Sequence, residues 1–177
     1  MTVRSFIITF IFSFFVRIAT TRAAYAQENI DEMLAVVERN VITQSDIQVL
    51  SILNRYHVPE SVFLHERSTQ DPIMYLVEMK ILDTLANAVP IYNLSIEKEN
   101  YIHKLLPQIL SENHSFPYHD RVGHWLRTQL IAENYVRINL GLSKTNNGSL
   151  SAYLRWVQDQ KYRVPHRIVR TEEEEAK

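Results

Sequence analysis

The chain has 177 residues, of which 46% are apolar, and its formal net charge is −1. This composition is typical of a globular protein and is too apolar for a disordered chain. Only three glycines and no cysteine occur. The sequence therefore disfavours phosphate-binding glycine loops and excludes disulfides, thiolate catalysis and cysteine-ligated metals. The balanced charge gives no basic stripe, so no nucleic-acid partner is expected.

The N-terminal segment, residues 1–26, has the pattern of a signal peptide. Arg4 precedes an apolar run over residues 6–16, and a more polar stretch then ends in an Ala-Tyr-Ala triplet. Small residues at these positions predict cleavage between Ala26 and Gln27. The apolar run is too short to cross about 30 Å of hydrocarbon as a helix. An uncleaved N-terminal anchor is the alternative.

A short β-hairpin is predicted near the start of the mature chain. Two short segments, Met33–Val37 and residues 41–43, are mostly apolar and rich in strand-forming residue types. A Glu-Arg-Asn triplet separates them. Asparagine tolerates left-handed backbone angles, so this triplet predicts a turn. Ser45 or Asp46 is then the expected cap of a first helix.

Helix signals recur along the rest of the chain, and we expect four or five helices in all. Asp71-Pro72 combines a capping side chain with proline at the first helical position, and Pro90 ends that predicted helix. Ser95 is the expected cap of the next helix, which Pro107 should kink or shorten. Further on, the pattern predicts a long helix over residues 119–140 capped by Gly141, a polar linker over 144–149, a short helix over 151–160 and an extended segment over 162–169.

The polar side chains form no pattern typical of a catalytic or metal site. None of the seven histidines stands three or four residues from another, the spacing that places two imidazoles on one helical face. No Gly-x-Ser-x-Gly motif is present. Glu78 and Asp83 are expected on the solvated face of their helix. We therefore expect no metal and no cofactor.

One segment resembles a known family. Residues 34–47 read Leu-Ala-Val-Val-Glu-Arg-Asn-Val-Ile-Thr-Gln-Ser-Asp-Ile. They resemble the strand–turn–strand–helix opening, AVVN…VIT-x-SD(I/L), of SurA-type periplasmic chaperones and their parvulin-linked relatives, with Glu38 where that family usually has Asn. Weaker matches follow in the family's order at residues 76–85, 95–97, 127–136 and 153–164. Together the matches are spread from residue 34 to residue 164, over most of the chain after residue 26.

The resemblance implies a fold and a domain order. It implies a mainly α, multi-helix domain like the SurA N-terminal domain over residues 27–169, with a small β-hairpin joined by a C-terminal strand, followed by an acidic tail over residues 170–177. In full-length relatives the catalytic parvulin domains lie between the long helix and the closing helix. Here only a polar linker lies between Gly141 and Ser151, so no isomerase activity is expected. The residues from Pro165 onward also resemble the start of a parvulin domain, and a truncated isomerase is the alternative.

The resemblance also implies a function and a location. It implies a periplasmic, ATP-independent, chaperone-like protein that binds unfolded or outer-membrane protein segments and meets the membrane only through its signal segment. The alternative is an envelope scaffold protein with one fixed partner. Chaperones bind varied segments through adaptable methionine and aromatic surfaces. The candidate peptide-binding residues are therefore Tyr75, Met79, Phe116, Tyr118 and Trp125, with core packing as the alternative role of each.

Overall fold

The computed structural model describes residues 31–142 and 148–169. In these residues it contains six α-helices and one three-stranded sheet, so the predicted mainly α class with a small sheet is confirmed. The elements in chain order are β1 (Met33–Val37), β2 (Asn40–Thr43), α1 (Gln44–Arg55), α2 (Val62–Gln70), α3 (Pro72–Asn87), a 3-10 turn (Pro90–Tyr92), α4 (Ile96–Glu112), α5 (His119–Asn139), α6 (Leu150–Lys161) and β3 (His166–Ile168).

Some sequence predictions lie outside the described residues. These are the signal peptide with its cleavage site at Ala26 and Gln27, residues 144–147 of the linker, and the acidic tail at 170–177. Within the described ranges, no helix is both long enough and apolar enough to cross a membrane.

The sheet joins the two ends of the described chain. Its strand order is β2-β1-β3, and both pairings are antiparallel. Val37 pairs with Asn40 on one side and with His166 on the other. Beyond the ladder, the Val169 amide donates to the Leu34 carbonyl at 2.8 Å. The predicted hairpin and the predicted closing strand are therefore both confirmed.

Helix α3 is the centre of the molecule. It packs against α1, α2, α5, α6 and β1, and every residue from position 75 to position 83 is buried. Asp71 caps it by accepting a hydrogen bond from the Met74 amide at 3.1 Å, and Pro72 occupies the first helical position, as predicted. A helix that is apolar on most of its circumference is stable only in the interior.

Two capping predictions have different outcomes. The cap of α1 is Thr43 rather than Ser45 or Asp46, because Asp46 occupies the third helical position and accepts from the Thr43 amide at 2.8 Å in a capping box. The predicted C-terminal cap of α5 is confirmed at Gly141, which has a φ of 62°. There the Leu142 amide donates to the Arg137 carbonyl at 2.8 Å, as in a Schellman motif.

Two other helices differ from the sequence prediction. Helix α2 was not predicted, because Val62–Gln70 carries only a short apolar face, with Phe63 and Leu64 buried. Helix α4 continues through Pro107 to Glu112 instead of being shortened. Pro107 lies on the exposed side of α4, and so does His103, whose carbonyl the missing proline N–H leaves without a helical partner and open to solvent.

Replacing Glu38 by asparagine is expected to stabilise the fold. Glu38 begins the hairpin turn with a φ of 52°, a left-handed conformation that is unfavourable for most residues with a side chain and easier for asparagine. We expect Glu38→Asn to raise the free energy of unfolding by about 0.5–1 kcal/mol, measured by urea denaturation. Arg39→Asn is the matched control, because Arg39 has no positive φ to relieve. An equal gain in both variants would contradict this explanation.

Candidate functional site

The structure places three of the five candidate peptide-binding residues in the interior. Tyr75 and Met79 have no exposed surface, and Trp125 is 3% exposed. The Tyr75 hydroxyl donates to Gln129 Oε1 at 3.5 Å between α3 and α5, and burial raises the Tyr75 pKa well above its usual value. Side chains with so little exposed surface offer a client little contact area in this fold. Burial therefore favours the alternative role, core packing, for these three residues.

The other two candidate residues remain partly accessible. Phe116 and Tyr118 are half-buried in the loop before α5, and their rings meet edge to face with centroids 5.5 Å apart. The Arg121 guanidinium lies 5.7 Å from the centre of the Tyr118 ring. The structure thus brings these two residues together at the start of α5.

Asp46 connects the hairpin to α5. Its Oδ1 accepts hydrogen bonds from Trp125 Nε1 at 2.7 Å and from Arg121 Nη1 at 3.1 Å, while its Oδ2 accepts from the Thr43 amide at 2.8 Å. Arg121 Nη1 also donates to the Ser45 hydroxyl at 2.6 Å. The Asp46 carboxylate is buried, so these charge-assisted bonds fix the position of α5 against the start of α1.

A polar pocket of about 300 Å³ opens beside Asp46. It lies between the hairpin, α3 and α5, and its lining contains three cationic side chains and one carboxylate. The lining residues are Arg39, Asn40, Val41, Ile42, Asp46, Lys80, Arg121, His124 and Trp125. Trp125, proposed from the sequence as a peptide-binding residue, thus contributes to a wall of this pocket with little exposed surface.

Lys80 is the buried cation of the pocket. Its Nζ lies 3.2 Å from Asp83 Oδ2 and 3.5 Å from His124 Nε2, and 7% of the residue is exposed. The partial burial of His124 and, next, the nearby Lys80 ammonium lower the His124 pKa below its usual value. A neutral imidazole is therefore favoured beside Lys80.

A second buried ionic cluster surrounds Glu78 on α3. The Glu78 carboxylate accepts from Arg67 Nη2 at 2.9 Å, from the Tyr153 hydroxyl at 3.0 Å, and pairs with Lys161 Nζ at 2.8 Å. Burial and the Glu78 charge raise the Tyr153 pKa well above its usual value, which keeps the phenol a donor. The prediction that Glu78 and Asp83 are solvated was wrong, since their exposed fractions are 0% and 8%. Sequence spacing gave no signal because the partners of Glu78 come from α2 and α6.

Hydrogen bonds and a ring contact hold two segments against α5. Glu133 accepts from the Ser61 amide at 2.8 Å and from the Ser61 hydroxyl, and the next residue, Asn134, donates to the Tyr92 carbonyl at 3.0 Å. The Tyr92 and Tyr135 rings meet edge to face, with their centroids 4.5 Å apart. These contacts hold the start of α2 and the 3-10 turn against neighbouring residues of α5.

The segments held there carry large apolar side chains that face solvent. Ile96 is 81% exposed, Val62 is 74% exposed and Ile91 is 70% exposed. Val89 and Ile138 are also exposed, and we call these five residues the apolar surface. Single exposed apolar residues are ordinary, but several on adjoining, well-anchored segments are typical of an interaction site. Sequence reasoning missed this surface, because an apolar residue at a predicted helix start, such as Ile96, carries no local signal of exposure.

Neither metal-ligand geometry nor similarity to known proteins assigns a function to the chain. Among residues 31–142 and 148–169, no group of three or more histidine or acidic side chains is placed to hold a metal ion. No family model, no curated protein and no solved structure matches this chain.

Replacing Glu78 by glutamine is expected to destabilise the fold strongly. The variant keeps the side-chain shape but leaves Arg67 and Lys161 buried beside a neutral amide. Removing one partner of a buried ion pair costs about 3–5 kcal/mol, so the urea midpoint should fall markedly. Glu66→Gln, at an exposed position of α2, is the control and should change stability by less than about 0.5 kcal/mol. A loss as small for Glu78→Gln would contradict a stabilising role of this cluster.

His124 is expected to contribute to the loss of stability in mild acid. Its pKa is lower in the folded chain than in the unfolded chain, so the native state binds fewer protons. The stability that the fold has with His124 neutral is fully present above the unfolded pKa of about 6.5, and it declines as the pH falls below that value. We expect His124→Gln to lose less stability between neutral and mildly acidic pH than the native sequence, measured by urea denaturation. Parallel pH profiles of the two proteins would contradict the pKa shift.

Proposed function

We propose that this protein is a SurA-type, ATP-independent periplasmic chaperone that holds unfolded or outer-membrane protein segments and has no isomerase activity of its own. The proposal begins from the resemblance of residues 34–47 to the opening of that family. The fold is consistent with it: a hairpin followed by a helix, a mainly α body and a closing strand are the features that the resemblance implies.

The observation that carries the proposal is the apolar surface around α5. A holding chaperone needs accessible apolar area that contacts many sequences without requiring a fixed set of hydrogen bonds. Ile91 and Ile96 supply such area on segments fixed by hydrogen bonds to α5 and by ring contacts. The buried positions of Tyr75, Met79 and Trp125 remove them from this role.

Two ion pairs lie on or next to segments that carry the apolar surface. Lys98 pairs with Glu60 at 2.6 Å, and Arg127 pairs with Glu99. Such exposed ion pairs add little to stability, but they place charged groups near the apolar residues in sequence, and many protein interfaces combine apolar residues with a polar rim. Weak apolar contact inside a polar rim suits a chaperone that releases its client without an energy source.

The double substitution Ile91→Ser with Ile96→Ser tests the role of the apolar surface. Both side chains are mostly exposed, so the free energy of unfolding should change by less than about 0.5 kcal/mol each. We expect the variant to lose most of its ability to suppress aggregation of several chemically different unfolded clients, followed by light scattering. The matched control is Tyr162→Ser, because Tyr162 is 91% exposed and lies outside the apolar surface.

The outcomes separate the alternatives. Equal protection by the native protein and the double variant would remove the apolar surface from the mechanism. No protection of any client, together with one tight partner recovered from envelope extract, would favour a scaffold with a fixed partner instead. Measurable acceleration of proline isomerisation in a test peptide would favour the truncated isomerase.

A further inference from the structure

The polar pocket beside Asp46 has a charge distribution suited to an anion. Arg39, Lys80 and Arg121 line it, while Asp46 and the adjacent Asp83 supply the opposing charges. Arg121 pairs with Asp46 and Lys80 pairs with Asp83, whereas Arg39 makes no ion pair with the described residues. A cavity of about 300 Å³ is at the lower end of the range for small-ligand sites.

The carboxylate within the pocket is already fully engaged. Asp46 Oδ1 accepts from Trp125 and Arg121, and Asp46 Oδ2 accepts from the amide and the hydroxyl of Thr43. A carboxylate offers about four acceptor positions, so Asp46 has no acceptor position left for Arg39 or Lys80. The other charges of the pocket must therefore be balanced by other groups.

Two cations retain donors toward the pocket. Among the described residues, Arg39 makes no ion pair, although it lies at the turn of the hairpin on the pocket wall. Lys80 has three ammonium protons, and Asp83 and His124 are the two polar side chains placed beside it. The ammonium proton that neither Asp83 nor His124 accepts is available to an acceptor in the pocket.

We propose that this pocket is a binding site for a monoanionic carboxylate, held between Lys80, Arg39 and His124 beside the Asp46 network. One cation without an ion-pair partner among the described residues fits a monoanionic carboxylate better than a phosphate, which carries more than one negative charge at neutral pH. The carboxylate comes either from a small free acid or from the end of a peptide chain. The site is separate from the apolar surface and does not depend on the chaperone proposal.

The charges around His124 give the site its own spectroscopic readout. The imidazole faces Lys80 and Asp83 from α3, Asp46 from α1, Arg121 from α5 and Arg39 across the pocket. A bound carboxylate offsets the repulsion from Lys80, so occupancy should raise the His124 pKa toward its usual value. A purely structural pocket would leave that pKa unchanged.

The test is an NMR titration of the full chain with N-acetyl-alanine, N-acetyl-alanine amide, acetate and inorganic phosphate. We expect saturable shifts of the His124 resonances, and a raised His124 pKa, with N-acetyl-alanine but not with its amide. Tighter binding of N-acetyl-alanine than of acetate would identify a chain end as the source, and equal binding would identify a free acid. Equal shifts with the amide, no saturable shift at tens of millimolar, or tighter binding of phosphate would overturn the proposal.

Variants locate the site independently of folding. Arg39→Gln removes an exposed cation that makes no ion pair with the described residues, so the protein should fold normally and bind N-acetyl-alanine about two- to fivefold more weakly, the effect of losing one exposed ion pair. Lys80→Met should abolish binding, with its fold checked by the amide spectrum. Arg155→Gln, an exposed change on α6, is the control. Unchanged affinity in Arg39→Gln and in a folded Lys80→Met would place the ligand elsewhere.

Discussion

The buried carboxylate of Glu78 is the interaction on which the helical body depends. Arg67 on α2 contacts it through two nitrogens, at 3.2 and 2.9 Å, and Lys161 and Tyr153 reach it from α6. A buried ion pair of this kind rarely adds much net stability compared with apolar packing, but it is costly to break. Its effect is to make one arrangement of α2, α3 and α6 far better than any that separates the charges.

The ionic cluster around Glu78 also includes a charge at the N-terminal end of α3. Two cations meet one carboxylate at Glu78, and Asp71 supplies a second negative charge 3.6 Å from Arg67 Nη1. Asp71 is also the N-terminal cap of α3. One side chain therefore both starts the central helix and reduces the excess positive charge near it, which couples the position of α2 to the beginning of α3.

Local signals in the sequence predicted most of the fold. The hairpin, the Asp71 and Ser95 caps, the long helix and its Gly141 terminus depend on neighbouring residues, and each is found where expected. The site was harder to predict because it depends on contacts between distant segments. Trp125 meets Asp46 and Tyr153 meets Glu78 across more than seventy positions, and no spacing rule indicates such pairs. The interior position of Glu78 was missed for the same reason, because a lone acid on a helix usually faces water.

The strand order of the sheet has a consequence for how the chain reaches this fold. β1 is the middle strand, and one of its two partners, β3, is the last described element. The pairing of Ala35 with Ile168 therefore cannot form until the segment between the two strands has been made and folded back. Closing so long a loop is entropically costly, and such distant pairings slow folding. A chain that emerges with its N-terminus first therefore holds an incomplete sheet, in which the edge of β1 that pairs with β3 stays open until β3 is available.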